Sequence, residues 1–76
     1  MSEQSWLDIF ADNLRDIMEE KQCSQNDLSR VTGITQATIS RYLSKKQMPS
    51  VKAIVNIVYA LDCDWSDLLD FGDTIN

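Results

Sequence analysis

The 76-residue sequence contains no histidine, only two cysteines and no glycine-rich loop that could cradle a phosphate group. Histidine is the commonest general base in enzymes, and a tetrahedral zinc site needs four Cys or His ligands. No base accompanies any serine or cysteine, and the carboxylates are spread over helix faces rather than paired. We therefore expect no catalysis, no metal, no cofactor and no small-molecule ligand. Cys23 and Cys63 are expected to be buried core thiols rather than a disulfide.

Long apolar runs are missing as well. No segment approaches the ~20 apolar residues that span a bilayer, and the N-terminus lacks the basic patch and apolar core of a secretory signal. We therefore expect a cytoplasmic protein without a membrane contact. One proline and two glycines leave room for long helices. The length suits a single domain over residues 1–76, with residues 1–4 and 73–76 flexible.

Basic residues are outnumbered, but they are concentrated in the middle of the chain. The formal net charge is −5, from 7 Lys and Arg against 12 Asp and Glu. Residues 21–50 hold five basic residues and one acidic residue, a net charge of +4. Residues 1–20 hold one basic and six acidic residues (−5), and residues 51–76 hold one basic and five acidic residues (−4). Because salt screens exposed charges beyond about 8 Å, a basic face between acidic ends can still bind nucleic-acid phosphate.

Residues 24–43 predict two short helices joined by a tight turn. Ser24 is a suitable N-cap, and Asp27 completes a weak capping box. Gly33 suits the left-handed conformation that ends such a helix, and Thr35 offers the next N-cap. Apolar residues at helical spacing should face the core, namely Leu28, Val31, Ile39, Tyr42 and Leu43. So short a connection predicts a helix-turn-helix.

Three further helices are predicted on either side of this motif. The first should run from Trp6 to about Lys21 with Ser5 as its N-cap. The fourth should begin after Ser50, and the fifth should run from Trp65 to about Asp70 and stop at Phe71-Gly72. The predicted buried residues are Leu7, Phe10, Leu14, Ile17 and Met18 on the first helix and Val51, Ile54, Val58 and Leu61 on the fourth. The fold class is therefore all-α.

The segment SQNDLSRVTGITQATISRYL, followed by KKQMPSVKAIVNIVYALDC, resembles the phage-repressor and Cro type of helix-turn-helix domain. The resemblance extends over about residues 10–69. It depends on Ser24-Gln25, Leu28, Gly33, Thr35-Gln36, Thr38–Tyr42 and Pro49-Ser50. It implies a compact five-helix bundle of the lambda-repressor type, an XRE-like transcription regulator that binds operator DNA as a dimer.

Two positions depart from the pattern of this family. Relatives usually have glycine at a left-handed turn where this chain has Lys45. Because a lysine in that conformation costs on the order of 1 kcal/mol, we expect the loop to differ in detail from that of relatives. Relatives often pair an arginine at the position of Arg15 with a carboxylate on the second motif helix, where this chain has Leu43. The sequence leaves open whether Arg15 pairs with Asp12 or Glu19 or reaches a phosphate.

The second motif helix, Gln36–Ser44, is predicted to enter the major groove of DNA. With Ile39 pointing inward, its opposite half carries small or polar side chains. A glutamine amide matches adenine N6 and N7, and an arginine matches guanine O6 and N7. The predicted base contacts are Gln36, Ala37, Ser40 and Arg41. The predicted phosphate contacts are Gln25, Asn26, Thr35, Thr38, Ser44, Lys45 and Lys46. The resemblance assigns Gln36 to a base and Gln25 to the flanking phosphate. Arg41 could reach phosphate instead, and the two lysines could lie in a solvated loop.

Two functions from different classes follow. The first is a sequence-specific DNA-binding transcriptional regulator, a repressor, acting as a homodimer on double-stranded operator DNA. Its dimer contact is expected near the C-terminal helix, at Trp65, Leu68 and Phe71. The alternative is a protein-interaction module that docks a basic partner through its acidic helices and no longer binds DNA. The retention of Gln25, Gln36 and Arg41 among basic neighbours favours DNA.

Overall fold

Five helices form the part of the chain that the computed structural model describes, residues 3–69, with side chains from residue 6 onward. They are α1 (Glu3–Glu20), α2 (Gln25–Thr32), α3 (Gln36–Leu43), α4 (Val51–Leu61) and α5 (Trp65–Leu68). No strand occurs within residues 3–69. The predicted all-α, five-helix architecture is therefore confirmed.

Side-chain caps define where the inner helices begin. The Ser24 hydroxyl accepts a hydrogen bond from the Asp27 N–H at 3.0 Å, and the Asp27 carboxylate accepts one from the Ser24 N–H at 3.3 Å. The Thr35 hydroxyl accepts from the Thr38 N–H at 3.2 Å, and Ser50 caps α4 in the same way. Because these caps satisfy N–H groups that a helix leaves without partners, they fix the residues at which α2 and α3 begin.

The turn between α2 and α3 depends on one left-handed residue. Gly33 has φ 78°, and its N–H donates to the Ser29 carbonyl at 2.9 Å. A Cβ at this position would meet nothing within 4 Å, so conformation rather than space calls for glycine. The Thr32 hydroxyl donates to the Leu28 carbonyl at 2.7 Å and accepts from the Ile34 N–H at 3.1 Å. These bonds hold the short connection that the sequence predicted.

All five helices contribute to the core, and α1 packs on α3 and α5 within it. Phe10 is fully buried, with Trp6 stacked on it at 5.7 Å between ring centroids and Tyr42 edge-on at 6.1 Å. The buried residues predicted on α1 and α3 are confirmed, namely Leu7, Phe10, Leu14, Ile17, Met18, Ile39, Tyr42 and Leu43. Since α3 contacts both α1 and α2, its inner face is held from two sides.

The predicted inner faces of α2 and α4 are partly wrong. Val31 is 64% exposed and Val51 is 70% exposed, and Val58 is only half-buried. The buried residues of α4 are Ala53, Ile54, Ile57 and Leu61. At 100° per residue these four share one arc, and Val51 and Val58 lie beyond its edge. Helix α4 contacts α2 and α5, and its inner face is this arc.

Both ends of the described region differ from the prediction. Helix α1 begins at Glu3, so Ser5 lies inside the helix rather than at its N-cap, and residues 3 and 4 are helical. Helix α5 ends at Leu68, before the predicted Asp70. The predicted stop at Phe71-Gly72 and the expected flexible residues 1–2 and 73–76 lie outside the described residues.

Candidate nucleic-acid interface

Helix α3 presents the predicted polar face to solvent. Its inner side is anchored by the buried Ile39, Tyr42 and Leu43. The side chains on its other side are exposed, namely Gln36, Ala37, Ser40, Arg41 and the C-cap Ser44. Because Ala37 and Ser40 are small, this face allows the helix backbone to come close to a surface such as the floor of a DNA groove.

Gln36 is held in place by a residue of the preceding helix. Its side-chain Nε2 donates to Asn26 Oδ1 at 3.0 Å, across the turn of the helix-turn-helix. Both residues are exposed, one at the start of α3 and the other at the start of α2. A glutamine amide has two N–H donors and one carbonyl oxygen, so this bond leaves one N–H and the oxygen for a ligand. Asn26 thus orients the side chain that was predicted to read a base.

Arg41 belongs to a second exposed network. Its Nε donates to Gln47 Oε1 at 2.7 Å, and its Nη2 donates to Thr38 Oγ1 at 3.1 Å. The Thr38 hydroxyl also accepts from the Thr35 hydroxyl at 2.9 Å. Three side chains predicted to contact DNA, Thr35, Thr38 and Arg41, are therefore joined with Gln47 along one side of α3. The contribution of Gln47, in the loop after α3, was not predicted, because its partner is six positions away and only the loop geometry brings them together.

The C-terminal end of α3 is tied to α1 by Arg15. The guanidinium Nη2 donates to the Leu43 carbonyl at 3.0 Å. The last carbonyls of a helix carry the negative end of its dipole, where a cation is favourable. The sequence left Asp12 and Glu19 open as partners of Arg15, and neither carboxylate accepts this hydrogen bond. Arg15 instead caps the C-terminal end of α3 through the backbone of Leu43.

The profile of the Cro/C1-type HTH DNA-binding domain matches residues 13–73. The chain belongs to this family. Neither the search of curated proteins nor the search of solved structures returned a match.

In this Cro/C1-type domain the loop after α3 keeps its left-handed turn despite the lysine. Lys45 has φ 64°, so the expectation of a different loop is wrong. Its ammonium lies 3.2 Å from Asp12 Oδ1 and 3.8 Å from Asp8 Oδ1, both on α1. The side chain is therefore directed toward α1, whereas the next residue, Lys46, is exposed. The ion pairs with α1 compensate part of the cost of the left-handed backbone.

The two cysteines of the domain are free thiols at the edge of the core. Both are half-buried rather than buried as predicted, and burial raises the pKa of each thiol. Within residues 3–69 no cluster of three or more Cys, Asp or Glu residues has the geometry to hold a metal ion. None of the described helices is long and apolar enough to cross a membrane.

Proposed function

We propose that this Cro/C1-type domain is a sequence-specific transcriptional repressor that inserts α3 into the major groove of its operator. The observation that supports this most strongly is the exposed face of α3, on which Gln36 and Arg41 are each held by hydrogen bonds to neighbours. Side chains that are ordered before binding lose less conformational entropy when they bind. Such a protein acts where the DNA is, in the cytoplasm.

Base recognition would come from the two long side chains on this face. Gln36 retains one N–H and its carbonyl oxygen beside the Asn26 bond, which is the donor and acceptor pair that adenine N7 and N6 require. Arg41 has five N–H groups, of which Gln47 and Thr38 receive two. The remaining groups suit guanine O6 and N7. Ala37 and Ser40 would contact base edges at close approach.

Phosphate contacts would surround this reading face. The first turns of α2 and α3 present backbone N–H groups, which favour anions. Phosphate binding by the exposed Lys46 needs no rearrangement, whereas Lys45 would have to leave Asp12. The remaining phosphate contacts are proposed for Gln25, Asn26, Thr35, Thr38 and Ser44.

The active form would be a homodimer on a near-palindromic site. An eight-residue recognition helix reads only a few base pairs, so two half-sites about 34 Å apart would be needed for useful specificity. Leu68, one of the residues predicted for the dimer contact, is fully buried and therefore cannot take part in it, and Phe71 lies outside the described residues. Of the three predicted residues, only Trp65 is seen to be exposed, at 43%.

Selection of bound sequences from a random duplex pool tests the proposal. We expect enrichment of one near-palindromic site, with affinity falling steeply with salt. Roughly 3–4 phosphates neutralised by each protomer would give a slope of log K against log[salt] near −0.9 per phosphate. If no sequence is enriched and the slope is near zero for every duplex, the DNA-binding function is wrong. The alternative, a module that binds a basic protein through its acidic helices, would then be preferred.

A further inference from the structure

Gln47 lies in the loop between α3 and α4, and this loop is fixed on both sides of it. On the α3 side, the Lys46 N–H donates to the Arg41 carbonyl at 2.8 Å. On the α4 side, Pro49 is buried, and its ring limits φ to about −65°. Backbone held at two points so close together has few alternative paths. The Gln47 side chain is therefore attached at a defined place, although it is exposed.

From this place Gln47 holds the guanidinium group of Arg41. The Arg41 Nε–H donates to Gln47 Oε1 at 2.7 Å, and the positive charge of the donor strengthens this hydrogen bond. The Arg41 Nη2 group donates to Thr38 Oγ1 at 3.1 Å. Thr38 lies three residues earlier on α3, whereas Gln47 lies in the following loop. The guanidinium is therefore held by partners from two different segments.

These two hydrogen bonds select the edge of the guanidinium that can meet a base. Guanine O6 and N7 together accept two parallel N–H groups. An arginine can supply such a pair from its side edge, which uses Nε and Nη2, or from its terminal edge, which uses Nη1 and Nη2. Gln47 occupies the Nε–H, so the side edge is closed, and neither bond uses Nη1. The terminal edge of Arg41 is therefore the one that a base would contact.

The identity of residue 47 matters because Arg41 has two possible partners on DNA. An arginine can bind a base edge or a phosphate, and a phosphate contact carries no direct sequence information. Gln47 directs Arg41 with a neutral carbonyl oxygen. A carboxylate at the same position would hold Arg41 as well, but it would also repel the phosphates of every duplex. A neutral acceptor thus orients the guanidinium without lowering the general affinity for DNA.

We propose that Gln47 is a positioning residue for base recognition, which directs the terminal edge of Arg41 toward a guanine and away from the phosphates. This inference rests on the proposed function and adds to it a residue outside α3 that determines specificity. Arg41 prefers guanine only as long as residue 47 supplies an acceptor for its Nε–H. Removal of that acceptor leaves the charge of Arg41 in place but makes its contact with DNA less dependent on sequence.

The test uses the duplex enriched from the random pool. Arg41→Ala first identifies the base pair that Arg41 reads, as the position at which the preference is relaxed. Four duplexes that differ only at this pair then give the preference for guanine by fluorescence anisotropy. Gln47→Met keeps the length of the side chain and removes the acceptor. We expect it to reduce the preference for guanine about fivefold or more, since a bidentate base contact discriminates by roughly 5- to 150-fold.

Three comparisons separate positioning from a merely structural role. Gln47→Glu keeps the acceptor, so it should retain the preference for guanine while its added charge weakens binding to all four duplexes alike. In the Arg41→Ala background, Gln47→Met should have no effect on the preference. In the free protein, the proton on Arg41 Nε should exchange with water faster in Gln47→Met than in the parent or in Gln47→Glu, as measured by NMR.

The positioning role is overturned if Arg41→Ala relaxes no base pair, or if Gln47→Met retains the preference of the parent. It is also overturned if Gln47→Glu loses as much preference as Gln47→Met, or if the Nε proton exchanges equally fast in all three proteins. In each of these cases the parent still discriminates between duplexes, so the proposed function stands. A parent that distinguishes no duplex from any other shows instead that the proposed function is wrong, and the positioning role fails with it.

Discussion

Replacing Lys45 with glycine separates two opposing contributions to the stability of the loop after α3. The left-handed backbone at φ 64° disfavours lysine, by on the order of 1 kcal/mol relative to glycine. The ion pairs with Asp12 and Asp8 act in the other direction. The side chains are between 34% and 60% exposed, so their attraction should contribute only about 0.2–1 kcal/mol.

The difference between these contributions sets the expected result. Lys45→Gly should leave the free energy of unfolding unchanged or raise it by up to about 1 kcal/mol. For a domain of this size that corresponds to an increase in Tm of at most roughly 4–8 °C. Urea denaturation at 25 °C and thermal melts at low salt measure both quantities. Lys46→Gly is the matched control, because Lys46 is not among the residues with positive φ, and it should not stabilise the domain.

A double-mutant cycle isolates the ion pair with Asp12. Asp12→Asn should lower the free energy of unfolding by about 0.2–1 kcal/mol when Lys45 is present and have little effect in the Lys45→Gly background. The effect should also shrink at about 1 M salt, where screening is strong. The reasoning is refuted if Lys45→Gly destabilises the domain by more than about 1 kcal/mol, or if Asp12→Asn has the same effect in both backgrounds.

Three further predictions concern the interface and the start of α2. Gln36→Ala should relax the preference at one base pair per half-site by about 1–3 kcal/mol without changing the affinity for random duplex. Lys46→Ala should instead weaken binding to operator and to random duplex equally and make the salt slope shallower. If Gln36→Ala weakens binding to operator and random duplex equally, Gln36 is a contact to the DNA backbone. Arg15→Met should remove the bond to the Leu43 carbonyl and weaken specific binding more than random binding, as measured by fluorescence anisotropy, and an unchanged ratio would count against its positioning role. Hydrogen bonds from the backbone N–H and side chain of Ser24, followed by Arg30, hold the pKa of Asp27 below its ordinary value. A carboxylate with a depressed folded pKa contributes stability that is complete above its unfolded pKa, near 4, and is lost as pH falls through the lower folded value. Melts at about pH 5 and pH 3 should therefore show a smaller acid-induced loss in Asp27→Asn, and an identical loss would contradict the assignment.

The features that could be predicted from the sequence are those with local causes. Ser24, Gly33 and Thr35 set the ends of their helices through contacts within a few residues, so the helix-turn-helix was predicted correctly. The inner faces of α1 and α3 followed from their apolar spacing. On α4, periodicity identified an apolar side but not the direction from which α2 packs, and Val51 was therefore placed wrongly.

The side-chain contacts of the candidate site depend on geometry that the sequence does not contain. The bond from Gln36 to Asn26 requires the angle between α2 and α3, and the one from Arg41 to Gln47 requires the path of the following loop. Every residue carries the same backbone carbonyl, so no pattern of residue types could indicate that Arg15 donates to one. Lys45 was expected to alter the loop, because its ion pairs with α1 were not foreseen.

The contact between Arg15 and the Leu43 carbonyl also affects how freely position 43 can change during evolution. Any amino acid supplies a carbonyl there, so the link between α1 and α3 imposes no requirement on the side chain. The Leu43 side chain can then serve packing alone, and it is 8% exposed. Substitutions by other apolar residues of similar size should be tolerated at this site without changing the angle between α1 and α3.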